Sequence, residues 1–354
     1  MKSRITGFGL IELMIAMGLG LLVLAGVLVI FLAQRQAYQN STSQALIQDA
    51  DNALSAIITP VVRGAGFAGC GAIGNGVVKS YVTAPLTPLT FDTSSAVRGF
   101  QAKAVPSPLV DGASNDVTTG DWTPALDASF VTAGGVANGS DVLVLIGSPP
   151  GTSPVGAIAF NVGSITANNA SSTNGFTAPL MVAVSDCGKS SVFEVDSVAS
   201  NVLTYATGPN GTPLYPPGSQ LIPIQQTAFF VAKGTSGQSG LFEAVMTMSA
   251  GQTTANAHWV VNELVPGVSN MQVLYGVGVG GQNTTYVGAG AVGSNWGAVT
   301  SVRLGFLIEG NPGSSAAATN QTAFKLFGTA LTVPMDSRLR HTYYMTVNTR
   351  NATL

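Results

Sequence analysis

The chain has 354 residues, of which 14 are Lys or Arg and 16 are Asp or Glu, so charged side chains make up only 8% of it and the net charge is −2. An average soluble domain is about a quarter charged, so this balance excludes a protein that holds nucleic acid on a basic surface and leaves little electrostatic steering of any ligand. With 43 glycines and many Ser, Thr and Asn, the composition is that of an exported surface protein, and the mean hydropathy of +0.37 is high for a freely soluble one.

Much of that excess sits in one segment. After Lys2 and Arg4, the stretch from Leu13 to Ala33 carries no charge; as a helix it is about 31 Å long, close to the thickness of a hydrocarbon core. The positive-inside rule keeps the short basic end cytoplasmic and sends everything after Gln34 across the membrane. A cleaved secretory signal would have a shorter apolar region followed by a small-residue cleavage site. Here the run passes straight into Gln34, Arg35 and Gln36, and the helix is expected to stay attached. Glu12 stands one residue before the uncharged run. Near the bilayer centre an unpaired carboxylate costs about 2.5–3.5 kcal/mol and needs a partner; at the interface it would face headgroups and the positive end of the helix dipole.

The segment Gly7-Phe8-Gly9-Leu10-Ile11-Glu12-Leu13-Met14-Ile15-Ala16 resembles the class III signal of type IV pilins and type II secretion pseudopilins: a short basic leader ending in Gly, then Phe, three further residues and Glu. The resemblance implies that a prepilin peptidase cuts between Gly7 and Phe8 and methylates the new amine of Phe8. It also implies that Glu12 pairs with the amino terminus of a neighbouring subunit inside a fibre. The physics agrees, because an amine of pKa about 8 is cationic at neutral pH and a dry carboxylate needs such a cation. Ala16, Gly18 and Gly20 add a face of small residues, which either permits close helix packing or loosens the helix.

Beyond the bilayer, Leu46, Ala50, Ala53, Leu54, Ile57 and Val61 recur at three- and four-residue spacing, the apolar face of an amphipathic helix. Gln44, Gln48, Asp49, Asp51 and Asn52 supply the polar face. One helix is therefore predicted from about Leu10 to about Arg63, with Pro60 bending or ending it and Gly64 and Gly66 as stops. The remainder reads as strands between Gly, Pro, Asn and Ser clusters: Asp141 to Ile146, Leu180 to Val184, Val192 to Val195, Phe229 to Ala232, Leu241 to Met246, Met271 to Tyr275, Val299 to Ile308, and Tyr343 to Val347. The stretches from Tyr81 to Gly139 and from Gly276 to Gly297 read as loops. No fixed-period repeat and no domain boundary within the head stand out.

Only two cysteines are present, Cys70 and Cys187; an even count in an exported domain favours one disulfide. It would close a long loop, stabilise the head by about 5 kcal/mol at most and tie the helix exit to the sheet. Gly64-Ala65-Gly66-Phe67-Ala68-Gly69 matches G-x-G-x-x-G, but it follows a helix end where a dinucleotide site needs a preceding strand. His258 and His341 lie far apart in no metal or nucleophile pattern. Asp49 and Asp51, two apart on a helix, do not share a face. No catalytic constellation, metal site or cofactor is expected. A surface calcium site lacks the usual acidic cluster, and N-x-S/T matches such as Asn210-Gly211-Thr212 are expected by chance.

Three further stretches resemble the PilW-like minor pilins: Arg63 to Cys70 as a helix-exit signature, Val265 to Gly276 as a turn leading into a strand that ends in Tyr-Gly, and Arg338 through Tyr343 and Thr346 to Arg350-Asn351 as a closing strand. Val277 to Gly281 departs from that family's usual acidic loop. The resemblance implies an α+β, pilin-like fold: a leader over 1–7, a membrane and fibre-core helix over 8–33, an amphipathic helix over 34–63 and a β-rich antiparallel head over 64–354. It further implies a non-enzymatic subunit that primes type IV pilus assembly, sits at the fibre tip and supports twitching motility and adhesion. Implied partners are other minor pilins, the major pilin, the prepilin peptidase, the inner-membrane assembly platform and membrane lipid, with a large tip adhesin as a further candidate. The subunit would sit in the bacterial inner membrane with its head periplasmic, and afterwards in a surface fibre. The rival readings are a minor pseudopilin of a type II secretion system, a membrane-anchored adhesin and, with least support, an anchored periplasmic enzyme.

Overall fold

A computed structural model describes residues 9–69, 71–73, 78–82, 93–109, 117–128, 130–131, 135–171, 175–210, 215–248, 257–278, 284–314 and 323–349. Helix α1, Leu10–Gly64, runs unbroken for 55 residues. At its start Glu12 Oε2 accepts a hydrogen bond from the Gly9 N–H at 3.1 Å, satisfying one of the donors a helix start leaves open. Pro60 does not end the helix: another turn follows to Gly64, and the chain leaves only at Ala65 (φ −59°, ψ 135°) and Gly66 (φ +81°). The buried stripe is Ser43, Ile47, Ala50, Leu54, Ile58 and Val62, one position round from much of the face the apolar spacing predicts. Ala53, Ile57 and Val61 form its half-buried shoulder, Leu46 is 45% exposed, and Asp51 lies at the seam with the head rather than on the polar face.

After the helix come the short hairpin β1, Phe67–Ala68, and β2, Gly71–Ala72, then β3, Val78–Ser80, β4, Val97–Ala102, β5, Trp122–Thr123, and β6, Val142–Gly147. They are followed by β7, Val155–Asn161, β8, Ser164–Ala167, β9, Leu180–Ser185, β10, Ser190–Val195, β11, Ser197–Ala199, and β12, Val202–Thr204. The long strand β13, Gln220–Lys233, leads into β14, Ser239–Met248, and β15, Ala257–Pro266. The last group is β16, Val268–Val277, β17, Thr285–Val287, β18, Val299–Glu309, β19, Ala323–Leu326, β20, Thr329–Thr332, and β21, Arg340–Asn348.

Strand β13 is the spine of the larger sheet. Its first half pairs with β7 and β9, and its second half lies between β6 and β14. Among the described residues every strand pair is antiparallel except β3 with β10. A second, four-stranded sheet has the order β17-β16-β18-β21. The main core lies where the head half of α1, one face of β6, β13 and β14, and the four-stranded sheet converge. The other face of the larger sheet buries Trp122, Phe130, Phe230 and Trp259, and a lobe of β7 to β12 closes its own core around Phe193 and Tyr215. The result is the expected α+β, pilin-like arrangement of one long helix on an antiparallel β-rich head.

The eight expected strands all lie within observed ones, save that Asp141 stands just before β6. The stretch from Tyr81 to Gly139 is not all loop, since β4 and β5 join the larger sheet through β6. Gly276 to Gly297 likewise contains β17 and a short helical turn at Ala289–Val292. Strand β15 was not among the expected strands: in His-Trp-Val-Val-Asn-Glu, polar residues interrupt the apolar run, and its pairing with β14 holds it extended.

Candidate assembly interface

The two halves of α1 meet different surroundings. From Leu10 to Leu32 the large apolar side chains are all more than half exposed, for example Leu22 at 71% and Phe31 at 60%. This is the one helix among the described residues long and apolar enough to cross a membrane. Among the described residues, no atom lies within 4 Å of the place a Cβ would occupy at Gly18 or Gly20, so the small-residue face is open to a neighbouring helix. Glu12 is exposed and its described bond is the one to Gly9. Gly7 and Phe8, the expected cleavage and methylation sites, lie outside the described residues.

The outer half is locked down. Ile47, Ala50, Leu54, Ile58 and Val62 join a core with Val265, Val268, Leu304 and Val347, and each Val, Leu or Ile side chain among them contributes about 1.5–3 kcal/mol when fully buried. The helix exit is stitched to β6 by the Gly66 N–H donating to Ile146 O at 2.8 Å and by a bridge between Ala65 and Gly147. Gly147 is required there, since a Cβ would overlap the Gly64 carbonyl. Lower down, Gly310 packs against Ser43, and Gln36 Nε2 donates to Gly313 O at 3.3 Å. His341 Nε2 lies 3.6 Å from Asp51 Oδ2. Burial raises the Asp51 carboxyl above its ordinary range, with His341 opposing it.

At the foot of β18 and β21 a compact ion cluster holds the loops beneath the helix. Arg340 donates to Glu309 at 2.9 Å and to both oxygens of Asp336 at 2.7 and 2.8 Å, and Arg338 donates to Glu309 at 3.0 Å. Burial would raise the Asp336 carboxyl, but its bonds with Arg340 and Arg338 hold it below the usual range. Breaking one member would strand a buried charge, which is strongly destabilising.

A second polar joint rivets the two sheets. Asp141 is buried, and its two oxygens accept from the Ala102 N–H at the end of β4, past that strand's pairing with β6, and from the Val273 N–H of β16, both at 2.8 Å. Beside it, Met271 N–H donates to Ser140 Oγ at 3.1 Å, while the Asn270 and Gln272 amides each donate to Gly139 O at 2.9 Å. Asp141 therefore stands in for missing strand partners on both sides. Burial raises its pKa to about 7 despite the two backbone donors. The fully buried Tyr275 hydroxyl is pushed up by burial and then by Asp141.

Cys187 sits in the turn between β9 and β10 with φ +67° and is not a free thiol. Cys70 lies outside the described residues. Its neighbour Gly69 approaches so close to Ser185 that a Cβ would collide with it, which brings the helix exit to the same turn. The G-x-G-x-x-G match falls on the helix end and the β1–β2 hairpin, without a preceding strand. His258 Nε2 meets Thr247 Oγ1 at 3.1 Å across β14 and β15. No group of three or more His, Cys, Asp or Glu is placed to hold a metal among the described residues.

Sequence reasoning missed the Asp141 joint and the ion cluster. The first had no signal beyond an Asp before an apolar strand. The second had one: Arg338 and Arg340 fall close together in a chain only 8% charged.

Residues 228–351 match a family model described as PilW, Type IV Pilus-assembly protein W. The match begins inside β13 and takes in β14 to β21, and thus the four-stranded sheet, the ion cluster and much of the surface that receives α1. No curated protein matches the chain.

Proposed function

We propose that the protein is a minor pilin that primes type IV pilus assembly from the inner membrane. The carrying observation is α1 itself: one continuous helix whose apolar half is exposed among the described residues while its other half is fixed to a head whose C-terminal part matches the pilus-assembly family. Such a helix has two suitable environments, the lipid core and a bundle of like helices in a fibre, and the small-residue face suits the second.

In this reading the chain is cut between Gly7 and Phe8 and the new Phe8 amine is methylated. Glu12, now capping its own helix, pairs with a neighbouring subunit's amine when the helix enters the fibre. Its partners are other minor pilins and the major pilin, with the prepilin peptidase and the membrane assembly platform acting before them. The bulk of the head favours a terminal position, and the family resemblance adds support of motility and adhesion. The role is structural, and no reaction is assigned to it. Cys70 is proposed as the partner of Cys187, fastening the helix exit to the β9–β10 turn.

The test is mass spectrometry of the amino-terminal peptide from sheared surface fibres of the native host. A peptide beginning at N-methylated Phe8 is expected there. The processed peptide confined to membranes would favour a secretion pseudopilus or a priming complex left behind in the membrane, and an intact Met1 terminus would overturn the pilin reading. Glu12→Ala is expected to deplete the protein from the fibre fraction with the head's thermal midpoint unchanged; normal incorporation would exclude the charge pairing.

A further inference from the structure

We propose that the base of the head is a lipid-contacting foot: before assembly, the turn at Asn311-Pro312-Gly313 rests in the headgroup layer of the membrane that α1 spans. The inference rests on α1 being a membrane anchor and adds where the head stands relative to the bilayer.

The argument is one of height along a rigid rod. The uncharged run ends at Ala33, and Gln36 holds the Gly313 carbonyl at 3.3 Å. Three residues of helix rise about 4.5 Å, whereas the headgroup region on each side of the hydrocarbon core is about 5–7 Å deep. The turn therefore lies within that layer when the apolar run is centred in the membrane. Ser43 against Gly310 fixes the loop at a second level of the same helix, so the turn cannot swing away without breaking the seam.

The chemistry of the foot fits a neutral lipid surface. Asn311 and Pro312 are exposed. Tyr38, 73% exposed on the helix at this height, is the residue type that collects at membrane interfaces. Met335, 74% exposed, precedes Asp336 of the ion cluster at the same end of the sheet. Glu309, Asp336, Arg338 and Arg340 pair with one another, so these charges balance within the foot. Arg35 is also exposed on the helix at this height, but one Arg adds only about 1 kcal/mol of attraction to an anionic surface, so contact should depend little on anionic lipid. Continuity with the spanning helix selects lipid as the occupant, because a surface tethered this close to the bilayer meets it at a very high effective concentration.

The experiment uses the full chain reconstituted in phosphatidylcholine vesicles. Tryptophan is placed at the foot by Pro312→Trp, with Met335→Trp as a second reporter should the first variant fold poorly, and emission is compared with the parent in the presence of lipid bearing a headgroup nitroxide. Leu24→Trp with tail-brominated lipid reports the anchor independently. Loss of foot emission is expected, unchanged when anionic lipid replaces part of the phosphatidylcholine. Inserting seven helix-forming residues between Gln34 and Arg35 lifts the foot by about 10.5 Å with nearly the same facing, and should restore the emission. A quenched Leu24→Trp with an unquenched foot overturns the foot and leaves the anchor standing. Quenching that survives the insertion also overturns it, and an unquenched Leu24→Trp overturns the anchor reading itself.

Discussion

Leu24 and Leu54 belong to the same helix, yet Leu24 is 60% exposed and Leu54 is wholly buried. Both halves of α1 satisfy their backbone hydrogen bonds internally, so secondary structure does not distinguish them. The difference lies in the side chains: the first half is apolar on every face, while the second confines its apolar residues to one stripe and covers the rest with Gln, Asn, Asp and Ser. A helix apolar all round requires a nonaqueous environment, and a striped helix requires a surface to lie on. One rod thereby joins a head with its own core to a segment that requires a nonaqueous surrounding.

The sharpest way to break the comparison is to put the same charge in each half. Leu54→Asp buries a carboxylate with no partner in the main core and is expected to cost more than about 4 kcal/mol, enough to unfold a marginal head. Leu24→Asp should leave the thermal midpoint of the head unchanged while costing about 2.5–3.5 kcal/mol of membrane insertion. Calorimetry of the head and a membrane-partition assay read the two effects separately; equal loss of head stability in both variants would refute the division.

Next in size is the fastening of the helix exit. With the proposed bridge between Cys70 and Cys187, Cys187→Ser is expected to lower head stability by about 2–5 kcal/mol. Denatured, unreduced native protein should contain no titratable thiol, and two thiols per chain would remove the bridge from the fold.

A smaller effect should follow pH. Folding raises the Asp141 pKa from 3.8 to about 7, so the folded state binds a proton that the unfolded chain has released. The resulting stabilisation is complete below about pH 4 and is lost as pH rises to about 7, amounting to a few kcal/mol over the window. Asp141→Asn should flatten this dependence in thermal unfolding from pH 4 to pH 8, and an unchanged slope would assign it to another group. Smallest is Asp51→Asn: near the half-exposed His341 side chain, the pair should contribute under about 1 kcal/mol to head stability.

The helix and its need for a nonaqueous surrounding were legible because they depend on local pattern. An uncharged run of spanning length, a motif around Gly7, Phe8 and Glu12, and a three-and-four spacing can be read without knowing any distant contact. The spacing still placed the seam one residue off in part, as Leu46 and Ile47 are both apolar neighbours and only the shape of the head selects Ile47. Strand β15 was hidden for a related reason: a strand interrupted by His258, Asn262 and Glu263 lacks a clean alternation, and its partner β14 supplies the order.

By itself, then, the sequence determined that one helix must leave water, that the rest of the chain forms a β-rich head and that the segment from Gly7 to Ala16 resembles a processing signal. These follow from hydrophobicity and spacing over a few turns or strands. Only the tertiary structure decided that Asp141 rivets the two sheets, that Glu309 and Asp336 neutralise Arg338 and Arg340, and that Gly313 meets the helix at Gln36. Each joins residues from separate elements, and the free energy of a buried polar group depends on which distant donors the fold brings to it.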